Sequence, residues 1–166
     1  DFKLSGNEWY YAHSLLDVSE YNLYLHYFSR ADSILKLAET YTTDDMYLAR
    51  FYETKGLYFY ELQQYDSALV YFKKGIPLWQ HEEYRLYSYM KIMQVYLDMD
   101  SLAQALPYAQ SIIHNTQNPT FLVNAYYCMM QDANAKNDTK QLSEYSHARA
   151  DAEKSLRDYV SISAET

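Results

Sequence analysis

The chain has 166 residues, 49% apolar and 22% charged, a composition for one domain with a sizeable core rather than for disorder. Three glycines and three prolines are too few for the turns of a β-sandwich, a barrel or a Rossmann sheet. A count of 14 basic against 22 acidic residues gives a formal charge of −8, which argues against nucleic acid and an anionic membrane surface, since both need clustered cations. The single cysteine, Cys128, excludes an internal disulfide and a cysteine zinc cage. No run of apolar residues is long enough to span a bilayer. The chain opens at Asp1 with neither an initiator methionine nor an apolar leader, so a processed product or part of a longer protein is expected.

Apolar residues recur at helical spacing and nowhere alternate for long. Eight helices are predicted, near 6–17, 20–40, 45–63, 66–76, 83–98, 102–115, 119–136 and 139–161. Ser5-x-x-Glu8 opens the first as a capping box, in which each side chain satisfies a free amide of the other residue. Thr43-Asp44-Asp45 places negative charge at the positive end of the third helix dipole. Pro77 ends the fourth helix and Pro107 removes one backbone bond from the sixth. Ser101-x-x-Gln104 is a second capping box, Asn118 caps a seventh helix that begins on Pro119, and Asp138-x-x-Gln141 starts the eighth. Short connections make successive helices antiparallel neighbours.

An internal repeat sharpens this pattern. Tyr52, Tyr89 and Tyr126 follow one another at steps of 37 residues. The same step takes Gly56 to Met93 and Met130, Phe59 to Tyr96, and Ala31 to Ala68 and Ala105. A fixed period of this length marks stacked units that cannot bury their apolar faces alone.

At these residues the chain resembles the tetratricopeptide repeat family, whose unit is a helix pair with aromatic-x₂-Leu-Gly-x₂-aromatic on the first helix and Ala-x₃-Phe on the second. The best copy is Tyr52-x₂-Lys55-Gly56-x₂-Phe59 with Ala68-x₃-Phe72. The next, Tyr89-x₂-Ile92-Met93-x₂-Tyr96 with Ala105-x₃-Ala109, lacks the glycine and phenylalanine, and the last keeps Tyr126-x₂-Met129. Trp9-x₂-Ala12-His13-x₂-Leu16 with Ala31-x₃-Leu35 reads as the first copy. The resemblance implies an all-α, right-handed superhelix of about four helix pairs, near 6–40, 45–76, 83–115 and 119–161, in one domain over 1–166. The tyrosine-dense texture of Leu57-Tyr58-Phe59-Tyr60 running into Gln64-Tyr65-Asp66-Ser67-Ala68-Leu69 also looks like the extracytoplasmic input region of bacterial membrane-tethered sensor histidine kinases. A periplasmic sensor segment of a two-component protein is the expectation that follows.

No histidine among His13, His26, His81, His114 and His147 lies three or four residues from another histidine or from a cysteine, and no nucleophile or phosphate-loop motif occurs. The expectation is therefore a non-catalytic module without metal or cofactor. The family lines its concave face with the first helix of each pair. Carried over by spacing, that implies a groove for protein or peptide formed by Arg50, Glu53, Leu57, Tyr60 and Glu61, then Tyr87, Lys91, Gln94 and Asp98, then Asn124, Tyr127, Gln131 and Asn134. The carboxylate clamp of tetratricopeptide co-chaperones does not carry over, because Glu53 and Leu57 stand where cations are needed. Tyrosine faces with nearby Asn and Gln leave glycan or small-molecule binding as an alternative, and a cytoplasmic scaffold as another.

Residues 101–131 contain no Asp, Glu, Lys or Arg. Charge is depleted at interface centres, so this stretch is the expected contact with a second copy, a neighbouring domain or an uncharged ligand, with Gln104 and Gln110 as its markers. Asp32-Ser33-Ile34, Asp66-Ser67-Ala68 and Asp100-Ser101-Leu102 resemble bacterial O-glycosylation acceptors, but helix capping accounts for the last two.

Overall fold

The structure, a computed structural model, describes residues 6–41 and 44–164, with side chains over 8–41 and 44–158. The described residues are helical throughout their ordered elements and contain no strand. The helices are α1 (Gly6–Tyr24), α2 (Phe28–Ala38), α3 (Asp45–Glu61), α4 (Tyr65–Gly75), α5 (Glu82–Asp98), α6 (Leu102–Asn115), α7 (Pro119–Ala135) and α8 (Thr139–Ala164). Short 3-10 turns, Glu39–Tyr41 and Ile76–Leu78, follow α2 and α4. Among the described residues no helix is long and apolar enough to cross a membrane. The chain forms two compact units, Asp1–Ser88 and Tyr89–Thr166, and the division falls within α5.

Four turns link the members of the pairs, and all four have one construction. His26, Gln63, Asp100 and Asn137 each adopt positive φ, between 52° and 58°, and they recur every 37 residues. In each turn the amide of the left-handed residue donates three residues back: His26 to the Leu23 carbonyl at 2.9 Å, Gln63 to Tyr60 at 2.8 Å, Asp100 to Leu97 at 3.0 Å and Asn137 to Asn134 at 3.0 Å. The next amide donates five back, Tyr27 to Asn22 at 2.8 Å, Gln64 to Phe59 at 2.9 Å, Ser101 to Tyr96 at 2.8 Å and Asp138 to Ala133 at 2.9 Å. This is the Schellman closure, which satisfies the last carbonyls of a helix. The carbonyl of the same next residue then accepts the first bond of the following helix, from Ala31, Ala68, Ala105 and Leu142. Each turn is thus as short as a stop and a start can be.

The register set by these turns corrects the reading of the first pair. The break predicted after residue 17 is absent, and α1 continues to Tyr24. Ser19 does not cap a helix. It is fully enclosed and its hydroxyl donates to the Ala31 carbonyl at 3.4 Å, so a small residue is needed there for helix crossing. The first copy of the motif is Leu15-x₂-Val18-Ser19-x₂-Asn22, 37 residues before Tyr52, and not Trp9 to Leu16. Among the caps, Asp44 accepts from the Tyr47 amide at 2.8 Å, Asn118 from Thr120 at 3.0 Å and Asp138 from Gln141 at 3.0 Å. Ser101 stands at the N-cap of α6 without a side-chain cap bond; its hydroxyl donates back to Met99 at 3.2 Å, so the second capping box is not formed. Ser5 and Thr43 lie outside the described residues.

Packing within the pairs repeats with exchanged partners. A Cβ on Gly56 would come within 2.6 Å of the Phe72 ring, so the glycine exists to seat that ring between α3 and α4. The corresponding positions of α5 and α6 hold Met93 and Ala109, both fully enclosed. On the flank of each pair after the first lies an aromatic clasp; the first pair has Ile34 at the corresponding position. Tyr71 meets Tyr52 at 6.2 Å and stacks nearly parallel on Phe59 at 5.2 Å. Tyr108 meets Tyr89 at 5.5 Å and Tyr96 at 6.1 Å, and Tyr145 meets Tyr126 at 6.3 Å. Lys55, one residue before Gly56, lies over the Phe51 and Tyr71 rings at 5.2 Å each and bridges to Glu39 at 3.3 Å. Its aliphatic stem serves the core while its charge is satisfied at the edge.

Candidate functional site

The best-defined polar constellation lies along the seam of α1 and α3. Residues 9, 13, 17 and 20 follow one another down one side of α1, and 47, 50 and 54 do so on α3, at the spacing that brings side chains onto one helical face. Asp44 ties the upper end: one carboxylate oxygen caps α3 and the other accepts from Trp9 Nε1 at 3.3 Å. The Trp9 ring lies 3.9 Å from His13, and His13 meets Tyr47 edge-on at 5.3 Å. Arg50 pairs with Asp17 and approaches His13 Nδ1 at 3.4 Å. Lower down, the Thr54 hydroxyl donates to Glu20 at 2.7 Å.

These contacts disfavour the charged form of the histidine. Burial and the Arg50 guanidinium hold the His13 pKa below 6.5, against weaker opposing fields from Asp44 and Asp17. A neutral ring with its proton on Nε2 lets Nδ1 accept from Arg50. Tyr47, fully enclosed, donates its hydroxyl to the Ala38 carbonyl at 2.8 Å, and burial pushes its pKa up to about 12. It is a fixed donor that latches α3 onto the end of α2.

The groove residues are distributed as follows. In the first unit Arg50 is half-buried and engaged with Asp17, and Glu53 is buried on the same helix. Tyr60 is half-buried, 6.0 Å from the Tyr65 ring, and Tyr87 is half-buried on α5. In the second unit Lys91 and Gln94 are half-buried on α5, with Gln94 donating to Asp98 at 2.8 Å. Tyr127 and Gln131 are exposed on α7, and Arg149 of α8 lies 5.1 Å over the Tyr127 ring. Asn124 of α7 donates to Met90 Sδ at 3.6 Å. Arg50 therefore reads as a seam residue as much as a groove residue, since one of its faces is committed to α1.

Sequence reasoning missed His13, Asp17, Glu20 and Asp44 as one constellation with Arg50. A signal exists in the sequence, because His13 and Arg50 lie one 37-residue step apart, but a first copy starting at Trp9 sets that step out of register. It also missed Tyr71, Tyr108 and Tyr145, which obey the same 37-residue step.

Chemically, the seam offers charge and hydrogen-bond complementarity. Among the described residues no group of three His, Cys, Asp or Glu could hold a metal ion. Cys128 is fully enclosed in α7, and burial, reinforced by Asp132, pushes its thiol up to about 11. A thiol so protonated is a poor nucleophile. No protein-family model matches the chain, and no curated protein matches it in sequence.

Proposed function

We propose that this chain is a non-catalytic helical-repeat module of the tetratricopeptide kind, its pairs stacked in a right-handed superhelix, that binds protein or peptide along the first helices of its pairs. The observation that carries the reading is the recurrence of the left-handed turn residue at His26, Gln63, Asp100 and Asn137, because turns of one construction at a constant step make repeating helix pairs. A groove of such pairs suits an extended or helical segment held by tyrosine anchors and polar side chains. The setting we propose is the sensing segment of a bacterial two-component protein outside the inner membrane, where ligand binding alters the twist of the stack or the pairing of two copies.

Peptides selected from a random displayed library against the full chain test the groove. Binding should weaken about ten-fold in Tyr127→Ala and in Gln131→Ala, the loss typical of an anchor side chain. Equal affinity across both variants rejects the groove, and a glycan array that yields a ligand where peptides do not supports the sugar-binding alternative. The complete reading frame tests the setting: a membrane span followed by a kinase or DNA-binding domain is expected, and a short soluble frame removes the sensor reading.

A further inference from the structure

The interface between α3 and the first pair defines a pattern that α1 repeats without a partner. Tyr47 and Phe51 of α3 share one apolar cluster with Ala12 and Leu16 of α1 and Leu35 and Ala38 of α2, with Tyr58 packed at its margin. One repeat earlier, the corresponding residues of α1 are Tyr10, Ser14 and Tyr21, so tyrosine is retained at two of the three places. Yet Tyr10 is 69% exposed and Tyr21 63%, where Tyr47 is 1% exposed. At the equivalent positions Ser88 of α5 and Phe121 and Ala125 of α7 are buried, while Tyr84 of α5 is 48% exposed, less than Tyr10, and lies 4.8 Å from the Trp79 ring.

The rest of that α1 face fits the same role. Val18, Tyr24 and Leu25 are exposed beside Tyr10 and Tyr21, and the sole charge at an exposed position from residue 9 to 25 is Asp17, already paired with Arg50. A helix that ends a stack normally turns a polar face outward, and clustered exposed apolar side chains mark a contact surface.

We propose that the outward face of α1 is a docking surface for one further helix pair of this same 37-residue type, presenting alanine and leucine where the first pair presents Ala12, Leu16, Leu35 and Ala38. The contact continues the established α1–α2/α3 interface by one step. Tyr10 takes the place of Tyr47, with its hydroxyl aimed at the last carbonyls of the incoming second helix. The surface meets the groove candidates at Asp17, the partner of Arg50, and needs no groove ligand.

The probe is an added copy of residues 8–44 placed directly before Glu8 of the full chain, so that Asp44 of the copy precedes Glu8 as it natively precedes Asp45. Nitration of Tyr10 and Tyr21 in the original chain should slow about ten-fold in the extended protein, the protection expected of an ordered contact, and the whole should melt in one transition. A second extended protein, with Leu16→Asp and Leu35→Asp in the copy alone, should restore nitration while the original chain stays folded. Unchanged nitration in the first protein, or protection that survives the two aspartates, overturns the proposal. Protection of Tyr10 and Tyr21 in the unextended chain as its concentration rises would overturn it too, by showing that a second whole copy takes the surface.

Discussion

The α3–α4 pair closes on a glycine beneath a phenylalanine, whereas the α5–α6 pair has a methionine and an alanine at the same two positions. The first pair has Ser19 and Leu35 there, and the last has Met130 and Ser146. What is held constant is the volume between two helices, not the identity of either residue. Dense packing explains this, since a core tolerates an exchange that conserves volume far better than a change at one side. The exchange of Gly and Phe for other residues between pairs is therefore repacking within one helix-pair construction.

Transplanting one solution into the other site tests that view most severely. Phe72→Ala alone should cost about 3–5 kcal/mol through the cavity it leaves, read from urea unfolding. Gly56→Met alone should cost about 1–3 kcal/mol through overpacking. Together they recreate the Met93 and Ala109 arrangement, and the double variant should be more stable than the sum of the single losses predicts. Strict additivity would refute the exchange of volume.

The turns offer a gentler comparison. Asn137, Asp100 and His26 belong to residue types that enter the left-handed region comparatively often, and Gln63 does not. Gln63→Gly should raise stability by up to about 1 kcal/mol by removing the Cβ clash at positive φ, and Asn137→Gly should raise it less. Thermal melts that rank the two the other way would mean that side-chain contacts, not backbone strain, dominate at the turns.

The smallest effect should come from the half-exposed His13. Its folded pKa lies below the unfolded value of 6.5 because burial and Arg50 disfavour the charged ring. As pH falls past 6.5 the unfolded chain takes up the proton first, so stability declines with acidity until the folded pKa is passed, and is unaffected well above 7. His13→Gln should flatten the denaturation midpoint across that window. A midpoint that keeps the same acid slope in the variant would assign the effect to another group.

Much of the fold was legible because its signals are local. Asn118 and Asp138 start their helices as read, since an N-cap needs one side-chain oxygen and a nearby amide, and Asp44, read only as charge on the helix dipole, caps α3 as well. Ser101 looks identical to them in sequence and behaves otherwise, its hydroxyl turned back to Met99. The turn residues were hidden for a related reason. None of the four is glycine, so the composition that excluded sheets also concealed the sites where the backbone turns left-handed.

By itself, then, the amino-acid order determined the helical class, the 37-residue step and the positions where aromatic and small residues alternate, because periodic burial is written into spacing. Only the tertiary structure decided that Phe72 needs Gly56, that Arg50 is bound to Asp17, that Tyr71, Tyr108 and Tyr145 clasp the pairs, and that Tyr10 and Tyr21 stand uncovered. Each of those depends on two residues from different helices meeting, and the distance across a helix seam is set by the volumes of everything packed between.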